Sequence, residues 1–575
     1  MSVALWLSPV LVPVLCAAML ALRPGPRTSW LLVAAPMPAA VLAAVGDAVA
    51  APRLDWLLLG VELAVDDLAR LLLLLASLVW AAAGAYARAE AQAHRPYAAL
   101  WLLALAGNVG LLVAADVVTF YTAFVVMTFA AYGLVVHNRT GAARRAGRIY
   151  VVLAVVGETA LLGALLLAVT EAPSLRMDDV AAAVAGSPHR DLLVALLFVG
   201  FGIKAGVIGL HMWLPLAHPA APFPASAVLS GTMIKAGLVG WVRLLPVGEV
   251  ALPGWSDIVI ALGVLTAFAG VLLGLSQRDP KVVLAYSSVS QMGFITVLVG
   301  VALRLPDVAP VAIAGAAVYA LHHGLAKAAL FLGVGIVGAA SRTARRVLLL
   351  GMVLAAASLA GLPATSGAFA KAWLKESLDL AAVGGGVGLA LSLAAAGTTV
   401  LMVRLLLLLP GLATATGAVA IGPWLALLGA VLVATAAFPA RVLALDVPVG
   451  VGGPIGWDTI WPVVLGLGLA LAARPATRRH RALVRQVPAV PAGDVVVAGE
   501  RAVLLAGHGL AASAQMARRA GRAVAAAAQT PARWSCDRRA LLDRFEAWTT
   551  RRRTGGAIAA LVAVALLLTL TLPGP

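Results

Sequence analysis

The chain has 575 residues, 62% of them apolar and only 12% charged, with a mean hydropathy of +1.00 and a formal net charge of +17. This composition excludes an ordinary soluble domain, and it makes nucleic acid a poor explanation of the charge, because the arginines sit in short loops and one C-terminal stretch. The two cysteines, Cys16 and Cys536, are far apart and form no CxxC pair, so neither a disulfide framework nor an iron–sulfur or zinc site is supported.

Apolar runs long enough to cross a hydrocarbon core of about 30 Å recur along nearly the whole chain. The expected fold is an all-α polytopic membrane protein with about 16 transmembrane helices. They are placed at roughly 2–22, 29–48, 58–85, 97–115, 117–137, 149–170, 191–214, 225–246, 257–276, 282–303, 309–338, 347–370, 380–409, 418–438, 455–473 and 556–573. The first apolar run lacks a basic leader and is followed by Arg23-Pro-Gly-Pro-Arg27, which reads as a retained helix rather than a signal peptide. Alternate loops differ in basic charge. One set holds Arg23, Arg27, Arg88, Arg95, Arg139, Arg144, Arg145, Arg148, Arg278, Lys281, Arg342, Arg345 and Arg346. The other holds Arg53, Arg176, Arg190, Arg304 and Arg441, mostly beside acids. The positive-inside rule then puts the first set in the cytoplasm of a prokaryotic cell, with both termini outside. The long connection 474–555 is basic and proline-broken at its start. Residues 499–528 are alanine-rich and free of proline, which predicts a lateral amphipathic helix of about 45 Å along the membrane surface or neighbouring helices.

The informative residues are the ionisable ones inside the spans, since a charge at the bilayer centre costs about 2.5–3.5 kcal/mol on insertion scales. Glu158, Lys204 and Lys235 are mid-span, and Lys204 and His211 are spaced to share one helical face. Pro215, Pro219, Pro222 and Pro224 break the backbone between Lys204 and Lys235, and broken backbone at that depth survives only against protein or a wet cavity. His322, His323 and Lys327 lie in one span, with His323 and Lys327 at i, i+4; His322 points about 100° away from His323. Lys371 and Lys375 share the same spacing beyond a second break, Leu362-Pro363-Ala-Thr-Ser-Gly367. Lysines, imidazoles and a carboxylate on successive helices form a chain that conducts protons if water fills the gaps. Asp66, Asp67, Asp116 and Arg70 read as interfacial, and Lys375, beside Glu376 and Asp379, has a solvated face as its plain alternative. Motifs of soluble catalysis are absent: there is no phosphate-binding G-x-x-x-x-G-K-[ST] loop and no G-x-S-x-G elbow.

The run from Lys204 through Trp213-Leu-Pro215 to Ser226-Ala and Lys235 resembles the antiporter-like membrane subunits. That family is shared by respiratory complex I, multisubunit sodium/proton antiporters and membrane-bound hydrogenases. Gln277-Arg-Asp-Pro-Lys281, Ala285-Tyr-Ser-Ser288, Gln291-Met-Gly293, HHGLAKAALFLGVG and Gly361-Leu-Pro363 extend the resemblance over roughly residues 60–410. His218-Pro-Ala-Ala-Pro222 with Ser226-Ala and Ser230-Gly looks most like the large subunit of formate-hydrogenlyase-type complexes. The resemblance implies two inverted five-helix repeats, here 97–246 and 257–409, each with a broken helix. Around them stand N-terminal helices (1–96), additional helices (410–473), the linker with its lateral helix (474–555) and a final span (556–575). It also implies roles: Lys204 as first-half channel lysine, Lys235 as its link to the centre, His323 with Lys327 as second-half relay, and Lys371 as exit base. His211, His322 and Lys375 are further relay candidates.

One position departs from the family. A glutamate is expected directly after the aromatic of the fifth span, but Phe124 is followed by Val125. Glu158, on the next helix, is the candidate replacement. The function implied is proton translocation within a hydrogenase-like or complex-I-like redox complex, alongside other membrane subunits and a peripheral redox arm. The chain itself is expected to bind no cofactor, with nickel–iron and iron–sulfur centres in partner subunits. Two alternatives stay open: a sodium/proton antiporter module or the ion-driving subunit of an inorganic-carbon uptake complex, and a non-conducting scaffold.

Overall fold

The computed structural model describes residues 2–22, 25, 27–93, 95–412, 421–437, 456–479, 490–493 and 497. Helix α1 (Ser2–Leu22) is followed by α2 (Leu31–Ala34) and α3 (Met37–Val45), separated because Pro36 and Pro38 interrupt the hydrogen-bond ladder. The span expected at 58–85 starts later. Residues before it form a small antiparallel ladder, β1 (Arg53–Leu54) with β2 (Val61–Glu62), closed by positive-φ residues Leu58, Leu59 and Gly60. α4 (Asp67–Ala93) begins where the Asp66 carboxylate accepts the Ala69 amide at 2.6 Å.

α5 (Arg95–Val113), α6 (Val117–Val135) and α7 (Gly141–Val169) follow; Asp116 and Thr140 cap the last two by accepting the Thr119 and Ala143 amides at 2.8 and 3.0 Å. A short α8 (Met177–Gly186) leads to α9 (Arg190–Ala205), α10 (Leu214–Ala220) and α11 (Phe223–Val228). A π turn over Leu229–Met233 then joins α11 to α12 (Lys235–Leu244). Such turns recur at functional sites because they displace one carbonyl from the ladder. The chain continues through α13 (Pro253–Leu275), α14 (Pro280–Arg304), α15 (Ala309–Ala339), α16 (Arg342–Ala360), α17 (Ser366–Leu380), α18 (Gly385–Leu408), α19 (Ile421–Ala437) and α20 (Trp457–Arg479).

Among the described residues eleven helices are long and apolar enough to cross a membrane, with shorter apolar helices at Ile421–Thr435 and Trp457–Ala473. The chain is a multi-pass membrane protein. Its centre is α14 and α15, buried along almost their whole length. α13 and α14 touch through backbone: a methyl added at Gly270 would collide with the Ser290 nitrogen, and one at Gly293 would meet the Ala267 nitrogen at 2.5 Å. Small residues permit this closeness, which in a membrane supplies much of the packing energy. The lateral helix at 499–528, the final span at 556–573 and Cys536 lie outside the described residues.

The two charge-sorted sets of loops each hold together. In the acid-paired set, Glu62 takes Arg53 at 2.8 Å and Arg176 at 2.6 Å, and Arg304 meets Asp257 at 2.6 Å. Arg243 donates to Asp66 and to the carbonyls of Leu111, Leu112 and Ala114, closing the end of α5. Asp116 also accepts the Glu62 amide, a structural role. In the basic set, Asn138 Nδ2 donates to Ala220 O at 2.9 Å, Lys281 Nζ to Ala221 O, and Gln277 Nε2 to Val490 O at 2.9 Å. Lys281 itself corrects its assignment as a loop charge: Asp279 and Pro280 start α14, which carries Lys281 inward to 7% exposure.

Candidate functional site

Lys204 stands at the end of α9, where Gly206 in the left-handed region (φ +81°) stops the helix. This corrects the expectation that Lys204 and His211 share a helical face. The helix ends at Ala205, Gly209 turns again at φ +82°, and His211 lies in the non-helical stretch before α10, buried, with its ring 6.1 Å from that of Tyr286. Lys204 Nζ donates to Thr128 Oγ1 at 2.7 Å and Tyr150 Oη at 3.3 Å, and lies 5.2 Å from the centre of the Phe124 ring. Glu158 faces the same small cavity, its Oε1 buried without a hydrogen-bond partner. Glu158, the candidate for the carboxylate missing after Phe124, thus lines one cavity with Lys204, whose ammonium donates to Thr128 rather than to the carboxylate.

The centre of the molecule gathers the next group. Lys235 Nζ lies 2.8 Å from His323 Nδ1 and donates to the Ser230 carbonyl at 2.7 Å, which the π turn presents. One partner of the Lys235–His323 bond must supply the proton and the other the lone pair, so the pair shares a proton between α12 and α15. Lys327, one turn on from His323, donates to Leu284 O at 2.8 Å and to Ser287 Oγ. Ser230 and Ser288 hydroxyls meet at 2.8 Å. Both histidines are engaged, in different directions as their spacing requires. His322 Nδ1 meets Ser366 Oγ at 2.9 Å, and Ser366 meets Ser358 at 3.1 Å across the second break.

That break repeats the logic of the first. α16 ends at Gly361 (φ +87°), and α17 starts when Thr365 accepts the Ala368 amide. Lys371, on α17, reaches back to Ala360 O at 2.5 Å and Leu359 O at 3.4 Å, carbonyls left unpaired at the end of α16. It lines a cavity of about 230 Å³ shared with Lys375, Glu376, Asp379 and Asp458. Lys375 is exposed and paired with Asp458 of α20, so the lysine facing inward is Lys371. Thr128 and Tyr150 carry no mark in the sequence, and Ser230, Ser287, Ser288 and Ser366 enter it only as motif or break positions, because a hydroxyl carries no burial penalty large enough to single it out.

The comparisons with known proteins follow this geometry. A family described as NADH:quinone oxidoreductase/Mrp antiporter, TM matches residues 114–395, which hold both breaks and all the residues just described except Asp458. A Na(+)/H(+) antiporter subunit of Alkalihalophilus pseudofirmus is 30% identical over 354 residues, 57% of this chain and 71% of that protein. The chain belongs to the NADH:quinone oxidoreductase/Mrp antiporter membrane family. Hydrogenase-4 component B of Escherichia coli K12 is 35% identical over 241 residues, 40% of this chain but only 36% of that relative's length. The fold matches a chain of the Mrp complex from Dietzia sp. DQ12-45-1b with a TM-score of 0.71, at 23% identity, over 93% of this chain and 64% of that one. The antiporter-like resemblance read from the motifs is therefore sound. α20 and its Asp458 lie beyond the matched residues.

Proposed function

We propose that this antiporter-family chain is a proton-translocating membrane subunit of a redox-driven complex of the hydrogenase or complex I type. The observation that carries the reading is the Lys235–His323 contact at 2.8 Å. It joins two halves that each hold a buried lysine at a helix break, Lys204 in one and Lys371 in the other. The same arrangement supports the repeat assignment: leaving out the short α8 and counting α9 with α10 and α11 with α12, the fourth helix of 97–246 is broken, and with α16 and α17 taken together so is the fourth of 257–409. Broken helices at corresponding places in two halves mark the ion site of many transporters.

The groups facing one another are ammonium, imidazole and hydroxyl, with Glu158 as carboxylate. These exchange protons, whereas a hard metal cation asks for several oxygen ligands at once; the chemistry favours H⁺ over Na⁺. The likeness to an antiporter subunit keeps sodium/proton exchange as the second reading. The redox centres, nickel–iron or iron–sulfur, are assigned to partner subunits and a peripheral arm. The basic loops are assigned to the cytoplasmic face of a prokaryotic inner membrane. The test is to purify the chain with its partners, identify copurifying subunits and metals, and reconstitute the complex in liposomes with a pH-sensitive dye. Redox turnover should acidify or alkalinise the lumen in wild type and not in Lys204→Met; turnover without any proton movement sinks the reading.

A further inference from the structure

The HPAAP stretch carries a histidine that the lysine axis leaves unused. His218, on α10, is fully buried, and neither ring nitrogen has a hydrogen-bond partner. Its ring stacks on Phe331 at 4.6 Å between centroids, and Phe331 lies one turn along α15 from Lys327. Lys327 stands on that same helix, and Lys281 stands on α14, against which α10 packs. Lys281 donates to the carbonyl of Ala221, three residues from His218, and its ammonium sits 4.7 Å from the centre of the Phe223 ring. Asp279, exposed at the start of α14, accepts the Lys281 amide at 2.7 Å and completes the line to the surface. A buried imidazole with both nitrogens unsatisfied calls for a role. A hydrogen-bond acceptor and donor held between two lysines on different helices has an obvious one.

We propose that Asp279, Lys281 and His218 form a second proton route, entering beside the α13–α14 turn and reaching Lys327 without passing Lys204. The proposal rests on the translocation reading above and names an entry for it. With an intervening water on each side, the Lys281 ammonium gives a proton to one ring nitrogen of His218, whose other nitrogen releases its own proton to a neutral Lys327 amine. Asp279 then passes a proton from water to the Lys281 amine, and only N–H and O–H bonds change. Residues 490–493 lie beside this entry: Val490 accepts from Gln277 at 2.9 Å, and Gly493 (φ +88°) lies so near that a methyl there would meet Leu216 at 2.8 Å. Such a route also supplies the centre when the fifth-span acid is absent.

The test uses the intact complex in liposomes, with wild-type proton uptake established first. His218→Phe keeps a ring against Phe331 and removes both nitrogens. Lys281→Arg keeps the cation and its donor to Ala221, but arginine does not release its proton. Both variants should assemble, and both should lower uptake by at least about tenfold, the scale of a lost proton-transfer group. Uptake at the wild-type rate in either variant overturns the route; full function in Lys281→Arg would mean the lysine only ties α14 to α10. If His218→Phe fails to assemble, His218→Gln replaces it, with loss supporting the route and retention overturning it. A wild-type complex that moves no protons overturns the translocation reading and the route together.

Discussion

The two helix breaks solve one problem in opposite ways. At the first, Lys204 sits before the break, closed in by Phe124, Tyr150 and Trp213, with room for little more than one water molecule beside it. At the second, Lys371 sits after the break, held on the free carbonyls of α16 and open to a cavity of about 230 Å³. A lysine held by hydroxyls in a tight site exchanges its proton only when a neighbour moves. A lysine on helix-end carbonyls beside a roomy cavity exchanges with water directly, and those carbonyls stabilise its charged form. In the proposed proton path, the first break is the controlled end and the second the vented end.

The comparison can be broken by experiment. The largest effect is expected from Lys204→Met and Lys371→Met, each lowering proton transport by about a hundredfold. The two should separate when water access is probed: labelling of a cysteine at 371 by a soluble thiol reagent should be fast, and at 204 slow. Equal labelling would erase the distinction. Glu158→Gln comes next, with a partial, severalfold loss of pumping measured in the reconstituted complex; unchanged pumping would show that Glu158 does not replace the acid missing after Phe124. Gly206→Ala and Gly361→Ala force a side chain into the left-handed region, each destabilising by about 1 kcal/mol or more. The second should also impair transport, since its methyl would meet Lys371 Nζ at 2.8 Å, whereas the first meets mainly the Leu214 side chain. The smallest change is expected from Asp458→Asn. Its pair with Lys375 is exposed on both sides, and such pairs contribute only about 0–1 kcal/mol, so melting temperature and transport should barely move.

Much of this was legible in the sequence because burial of charge is costly enough to leave a mark. Glu158, Lys204, Lys235, His323, Lys327 and Lys371 stood out as charged or imidazole groups in apolar runs, and the structure buries each or nearly so. The breaks were marked by proline. What sequence spacing misplaced was anything that depended on where a helix ends. His211 was assigned a shared face with Lys204, but two left-handed glycines intervene. Lys281 was counted with the loops, because an Asp-Pro start to α14 one residue earlier looks the same as a turn. The hydroxyl partners were illegible for a different reason: serine and threonine are neutral, and only the fold decides which of them meets an ammonium.

The glycine seam between α13 and α14 has a mechanical consequence. Gly263 and Gly270 face Gly293 and the Tyr286–Ser290 backbone at seven-residue intervals, so main chain rests on main chain with no side chain between to change rotamer. The two helices therefore have little side-chain layer in which to slip past each other. Lys281, Ser287 and Ser288 stand on α14, so the seam also fixes where these polar groups sit relative to α13.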